Sequence, residues 1–191
     1  GEMHNLTESG YSDGNAKWVL GGKAMVWFSD RAGYRSHGSW GAQYDAYIMF
    51  FDVDAYDRFR MNKEDLALLE EAEKAEKAEK EKAEKKKKED KKGDKKKDAK
   101  DKKDGEEEKK EEVKPLKFDL DNRFDRIVRL TVNSSFMGDA VLTPKGDKLY
   151  YLAAFESGYD LWEHDLKENS TKILLKGVGG GSLLPDKKGE N

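Results

Sequence analysis

WVLGGKAMVWFSDRAGY (residues 18–34) is the stretch on which the fold turns. An apolar and aromatic run, MVWFS at 25–29, follows a Gly21-Gly22 turn and stops at Asp30-Arg31, the pattern of a strand between tight turns. The pattern occurs twice. At a constant offset of 124, Leu6 and Thr7 fall on Leu130 and Thr131, Gly14 on Gly138, Ala16 on Ala140, Gly22 on Gly146, and MVWFS on LYYLA at 149–153. Downstream the offset drops to 115, placing Tyr44, Asp45 and Tyr47 on Tyr159, Asp160 and Trp162, so the first copy holds roughly nine extra residues.

Each copy reads as short antiparallel strands: AKWVL, AMVWFS and YDAYIMFFD in the first, DAVL, KLYYLA and YDLWEHDL in the second. A fourth strand closes each copy, DRIVRLT at 125–131 and STKILLK at 170–176, and MHNLT at 3–7 reads as the fourth strand of an earlier copy. Four strands per repeat is the sequence form of a propeller blade, against the alternative of a β-sandwich with accidental similarity. The expectation is therefore an all-β chain, a β-propeller fragment of about two four-stranded antiparallel blades carrying an inserted charged segment. Its parts are 1–52, the end of one blade and three strands of the next; 53–122, the insertion; 123–176, the closing strand and second blade; and 177–191, a third blade cut short. An incomplete ring leaves edges and apolar faces open, which predicts a poor folding unit that associates with other blades, the rest of a parent chain, or copies of itself.

Whole-chain composition, 40% charged with mean hydropathy -1.01, describes the insertion more than the flanks. Residues 70–112 hold 18 Lys and 18 Asp or Glu, 36 of the 77 charged side chains; the other 148 residues carry 41, an ordinary globular share. The second copy makes the same third-to-fourth strand connection in a short turn near Lys167 to Asn169, so the tract is a loop insertion. Its first part has Asn62 as an N-cap, acidic residues in the first turn and Glu-to-Lys pairs such as Glu76 with Lys80, which predicts a solvated helix. Beyond Lys92, glycines and clustered charges predict disorder. Equal numbers of Lys and carboxylates cancel the field, and no aromatic residue is available for base stacking, so nucleic acid is not an expected partner.

There is no cysteine, hence no disulfide or thiolate chemistry, and no apolar run of about 20 residues for a membrane span. GEMHNLTESG lacks a signal-peptide pattern, and a start inside a structural repeat suggests that the true N-terminus lies upstream. His4 and His164 are scattered, so no metal or cofactor is expected. His37 lies beside Ser36 and Ser39, but with no GxSxG elbow and no orienting acid the segment is read as having no catalytic residue. Asp45 and Asp160, each after a Tyr, are read as satisfying backbone donors in turns.

Trp18, Gly22, Lys23, the strand at 25–28, Ser29, Asp30 and Arg31 together resemble the repeat of TolB-like and tricorn-like propellers. The longer context, SDRAGYRSHGSWGAQYDAYIMFFD at 29–52 and VKPLKFDLDNRFDRIVRLT at 113–131 on either side of a Lys/Glu tract, is similar to the propeller of bacterial tricorn-protease homologues, which are large serine peptidases. That resemblance implies a non-catalytic segment that gates or docks peptides or unfolded protein ahead of a catalytic domain elsewhere in the parent chain, and an exported, periplasmic location in preference to a cytoplasmic one. The extra residues 34–43 would form a loop at one face of the ring, with Tyr34, Arg35, His37 and Trp40 as candidate peptide contacts. A stand-alone TolB-like propeller binding other proteins is the alternative.

Overall fold

The computed structural model describes residues 2–36, 41–92 and 116–185, with backbone alone over 81–92. Two compact units result, Gly1–Arg60 with Leu116–Asn191, and Met61–Pro115. The first holds two four-stranded antiparallel sheets. One has the order β1 (Asp13–Val19), β2 (Ala24–Ser29), β3 (Asp45–Phe50), β4 (Ile127–Arg129); the other β5 (Phe136–Leu142), β6 (Lys148–Ala154), β7 (Asp160–Asp165), β8 (Ser170–Leu175). Both are simple meanders.

The repeat holds at the level of individual residue pairs. In the first sheet Asp13 faces Ser29 and Lys17 faces Val26; in the second Met137 faces Ala153 and Val141 faces Tyr150, each pair displaced by 124. Between those pairs both sheets carry a register shift at the same place, between Gly14 and Lys17 and between Met137 and Ala140. Ser29 opposite Asp45 and Ala24 opposite Phe50 are likewise repeated as Ala153 opposite Asp160 and Lys148 opposite Asp165.

Alternation along the strands explains why they read as continuous apolar runs. Ala24, Val26, Phe28, Ala46, Ile48 and Phe50 turn to one face and pack with Ala140, Leu142, Leu149, Tyr151 and Ala153 of the second sheet. Trp27, Tyr47, Met49 and Phe51 turn to the opposite face, where Leu6 and Leu120 cover them. The first sheet is thus buried on both sides.

The segments expected to lie at the margins behave differently from strands. Residues 2–12 form no strand; MHNLT lies as coil, its Asn5 and Leu6 carbonyls accepting from the Arg123 guanidinium at 3.0 and 2.9 Å, because the first sheet offers its outer face there rather than an edge. Residues 177–185 also form no strand, and Leu183 N–H donates to Asp139 at 2.7 Å.

The β unit reaches into the tract from both ends. Asp52 caps a helix, α1 (Val53–Arg60), through Ala55 N–H at 2.8 Å, and the Tyr56 and Phe59 rings sit 5.5 and 5.0 Å from Phe50. Lys167, in the β7–β8 turn, donates its ammonium to the Phe59 carbonyl at 2.6 Å, so α1 touches both sheets. At the other end Phe118 meets Trp18 edge-on and Phe51 at a tilt, with ring centres 5.9 and 5.4 Å apart, and Asp119 N–H donates to the Phe51 carbonyl at 2.9 Å.

In the second unit α2 (Lys63–Lys92) starts at Asn62, whose side-chain oxygen accepts from Asp65 N–H at 2.8 Å, and Glu76 pairs with Lys80 at 2.7 Å. The predicted disorder falls at 93–115, outside the described residues. No helix among the described residues is long and apolar enough to cross a membrane.

Candidate functional site

Besides the charged tract, the loop between β2 and β3 is longer in the first copy than in the second. Its stem is a narrow hairpin: Gln43 N–H donates to the Tyr34 carbonyl at 2.9 Å, Ser36 N–H to the Gly41 carbonyl at 3.4 Å, and Arg35 bridges Ala42. Gly33 is required for this closeness, since a Cβ there would stand 1.9 Å from the Gln43 carbonyl oxygen. Below the stem, Tyr44 and Ser135 exchange backbone bonds of 2.8 and 3.1 Å, tying the loop to the connector between the sheets.

Asp45 anchors that connector. Its side chain is fully buried and accepts from Arg129, Thr131 and Ser134, each at 2.7 Å. The equivalent Asp160 accepts from Gly177 N–H at 2.8 Å, while Val178 N–H donates to the Tyr159 carbonyl. Both aspartates therefore hold the chain leaving their sheet; Asp160 takes a backbone donor as expected from sequence, and Asp45 takes hydroxyls and a guanidinium.

Of the four predicted contact residues, Tyr34 is 69% exposed and Arg35 is exposed; His37 and Trp40 lie outside the described residues, as does Ser39 of the rejected catalytic reading. Arg35 meets one residue that the sequence did not single out, Tyr11. Its guanidinium carbon lies 4.9 Å from the ring centre of Tyr11, and Arg31 lies 5.8 Å from that ring. Arg31 also covers Trp27 and Tyr47 at 5.5 and 4.9 Å and bonds Ser29 Oγ at 3.0 Å and Asp13 at 3.4 Å. Partial burial pushes the Asp13 carboxyl up, but hydrogen bonds from Ser29, Ser9 and Thr7 and the nearby Arg31 outweigh it and hold it at about 2. Asp13 is thus ionised and neutralises Arg31. Tyr11 sits in coil 24 residues from Arg35, and no spacing rule connects the two.

A second polar centre lies between the sheets. Asn15 and Asp139 occupy equivalent bulge positions and bond each other at 3.2 Å, and Asp139 also takes the Lys17 ammonium and Leu183 N–H. Burial raises the Asp139 carboxyl, yet Lys17 and the Leu183 and Ala140 N–H groups override it and keep the carboxyl low. An open pocket of about 350 Å³ is lined there by Asn15, Lys17, Phe28, Met137, Asp139 and Ser182. The remaining histidines have local roles: buried His164 bonds the Thr171 hydroxyl at 2.7 Å, and His4 lies 3.6 Å from Glu2 at the surface. Among the described residues no group of three or more His, Asp or Glu side chains converges on one point.

Comparisons with models of protein families, with curated proteins and with solved structures returned no match.

Proposed function

We propose that this chain is a non-catalytic β-propeller segment of a tricorn-like serine peptidase, docking or admitting peptide substrates for a catalytic domain elsewhere in the parent chain. The observation that carries the reading is the pair of four-stranded meanders with the same register and the same bulge, stacked face to face through an apolar layer. Successive blades of a propeller bury their faces in this manner. The longer β2–β3 loop gives the docking role its residues, since its stem is closed by backbone hydrogen bonds and presents Tyr34 and Arg35 to solvent.

The test is made in the full-length protein. Arg35→Ala with Tyr34→Ala is expected to slow cleavage of long peptides severalfold while leaving short chromogenic substrates unaffected, because only long substrates reach the loop. Equal effects on both substrate classes would remove the docking role. Absence of any hydrolase activity from the full-length protein, with partner proteins retained on the loop, would favour the stand-alone TolB-like binding propeller.

A further inference from the structure

Among the described residues Arg35 differs from the neighbouring charged groups in having no counter-ion. Each carboxylate nearby is already engaged: Asp13 by Arg31, Ser9 and the Trp27 indole N–H, Asp30 by Ser12 N–H at 3.0 Å, and Glu8 by Arg123. Among the described residues Arg35 makes no ion pair, and its side-chain contact is the face of Tyr11. A guanidinium seated over a ring face takes no acceptor from it, so its N–H groups stay available as a fork matched to the two oxygens of a carboxylate. The hairpin bridge from Arg35 to Ala42 fixes the backbone beneath it, and Tyr11, itself 42% exposed, limits the directions in which the fork can point. A side chain held this way loses less rotamer freedom on binding than a free surface arginine does.

We infer that Arg35, positioned by Tyr11, is a carboxylate-recognition site for bound peptides, the adjoining Tyr34 supplying apolar contact. The inference rests on the peptide-docking reading and adds the chemical group that is read. Two sources share that chemistry, a peptide's C-terminal carboxylate and an acidic side chain within it.

The experiment titrates the whole chain, followed by NMR, with three peptides: N-acetyl-Gly-Gly-Leu as the free acid, the same peptide as its C-terminal amide, and the amide of N-acetyl-Gly-Glu-Leu. A carboxylate form is expected to bind at least about tenfold more tightly than the uncharged amide, the scale of a charge-assisted hydrogen-bond pair. Preference for the free acid alone identifies the chain terminus as the group read; equal gain from Glu identifies any peptide carboxylate. Arg35→Ala should abolish the preference, Tyr11→Leu should reduce it severalfold, and Tyr11→Phe, which keeps the ring, should retain it. Tyr11→Leu without effect would overturn the positioning role. If all three peptides bind equally, or the preference survives Arg35→Ala, carboxylate recognition is wrong and peptide docking still stands. If none binds to the folded chain, both fall.

Discussion

Asp45 shows how one buried side chain sets the join between two sheets. Its carboxylate takes one donor from β4 and two from the connector that follows, so removing it leaves a guanidinium and two hydroxyls without their acceptor. Asp45→Ala should lower stability by about 1–3 kcal/mol in urea unfolding, the scale of losing hydrogen bonds to a buried carboxylate, with Thr131 left buried without its acceptor. An effect under about 0.5 kcal/mol would mean that the connector holds without it. Asp13 makes a pH-dependent contribution whose sign follows from its depressed folded-state value, about 2 against an ordinary 3.8. The unfolded chain binds the proton first, so this contribution is complete above about pH 4 and is lost as pH falls toward 2. Acid unfolding of Asp13→Asn should be less steep across that window than that of the parent chain, and identical curves would contradict the linkage. Residues at this scale were unevenly legible in the sequence. Asp45 and Asp160 stand out as a repeated Tyr-Asp pair, whereas Tyr11 belongs to no periodic pattern, and its contact with Arg35 depends on how a coil segment crosses the outer face of the sheet.

Among the elements, α1 and residues 116–122 change the meaning of the insertion. Loop comparison alone sets its limits at 53–122, because the second copy makes the same connection in a few residues. Residues 53–60 carry Tyr56 and Phe59 onto Phe50 and receive Lys167 from the second sheet, while Leu120 covers the outer face of the first. A sequence signal for α1 exists: Asp52 as cap, acidic Asp54 and Asp57 in the early turns, and an i, i+3 pair of aromatics, Tyr56 and Phe59. The dense charge immediately after it outweighs so short a stretch. Replacing residues 61–115 with a flexible Gly-Ser linker should leave thermal unfolding of the β unit nearly unchanged, since loop length costs little. Replacing 53–122 should lower the midpoint markedly, by removing apolar cover and the Lys167 contact. Equal midpoints for the two deletions would return the boundary to 53–122. The strands themselves were readable from alternation and turn residues, and their offset of 124 carried even the bulge. The coil at 2–12 was not, since MHNLT has strand-like composition but meets a sheet face instead of an edge.

Across the whole molecule the order of the first sheet has a further consequence. Its outermost strand, β4, arrives from beyond the charged tract, although β1 to β3 precede it. Trypsin has about half of its sites in that tract, because 18 of the 37 lysines and arginines lie within 70–112. Cleavage there severs the polypeptide and leaves the sheet intact, the two pieces joined by the pairing of Tyr47, Ile48 and Met49 with Arg129, Val128 and Ile127, by Arg126 donating to the Phe50 carbonyl at 3.0 Å, and by Asp45 with Arg129. Nicked protein should give two bands on a denaturing gel and a single peak by size exclusion; separation into two peaks would show that covalent continuity is needed. A strand supplied from across a cleavable tether makes this chain a natural split protein, whose halves, expressed separately, would reconstitute one another by completing a shared sheet.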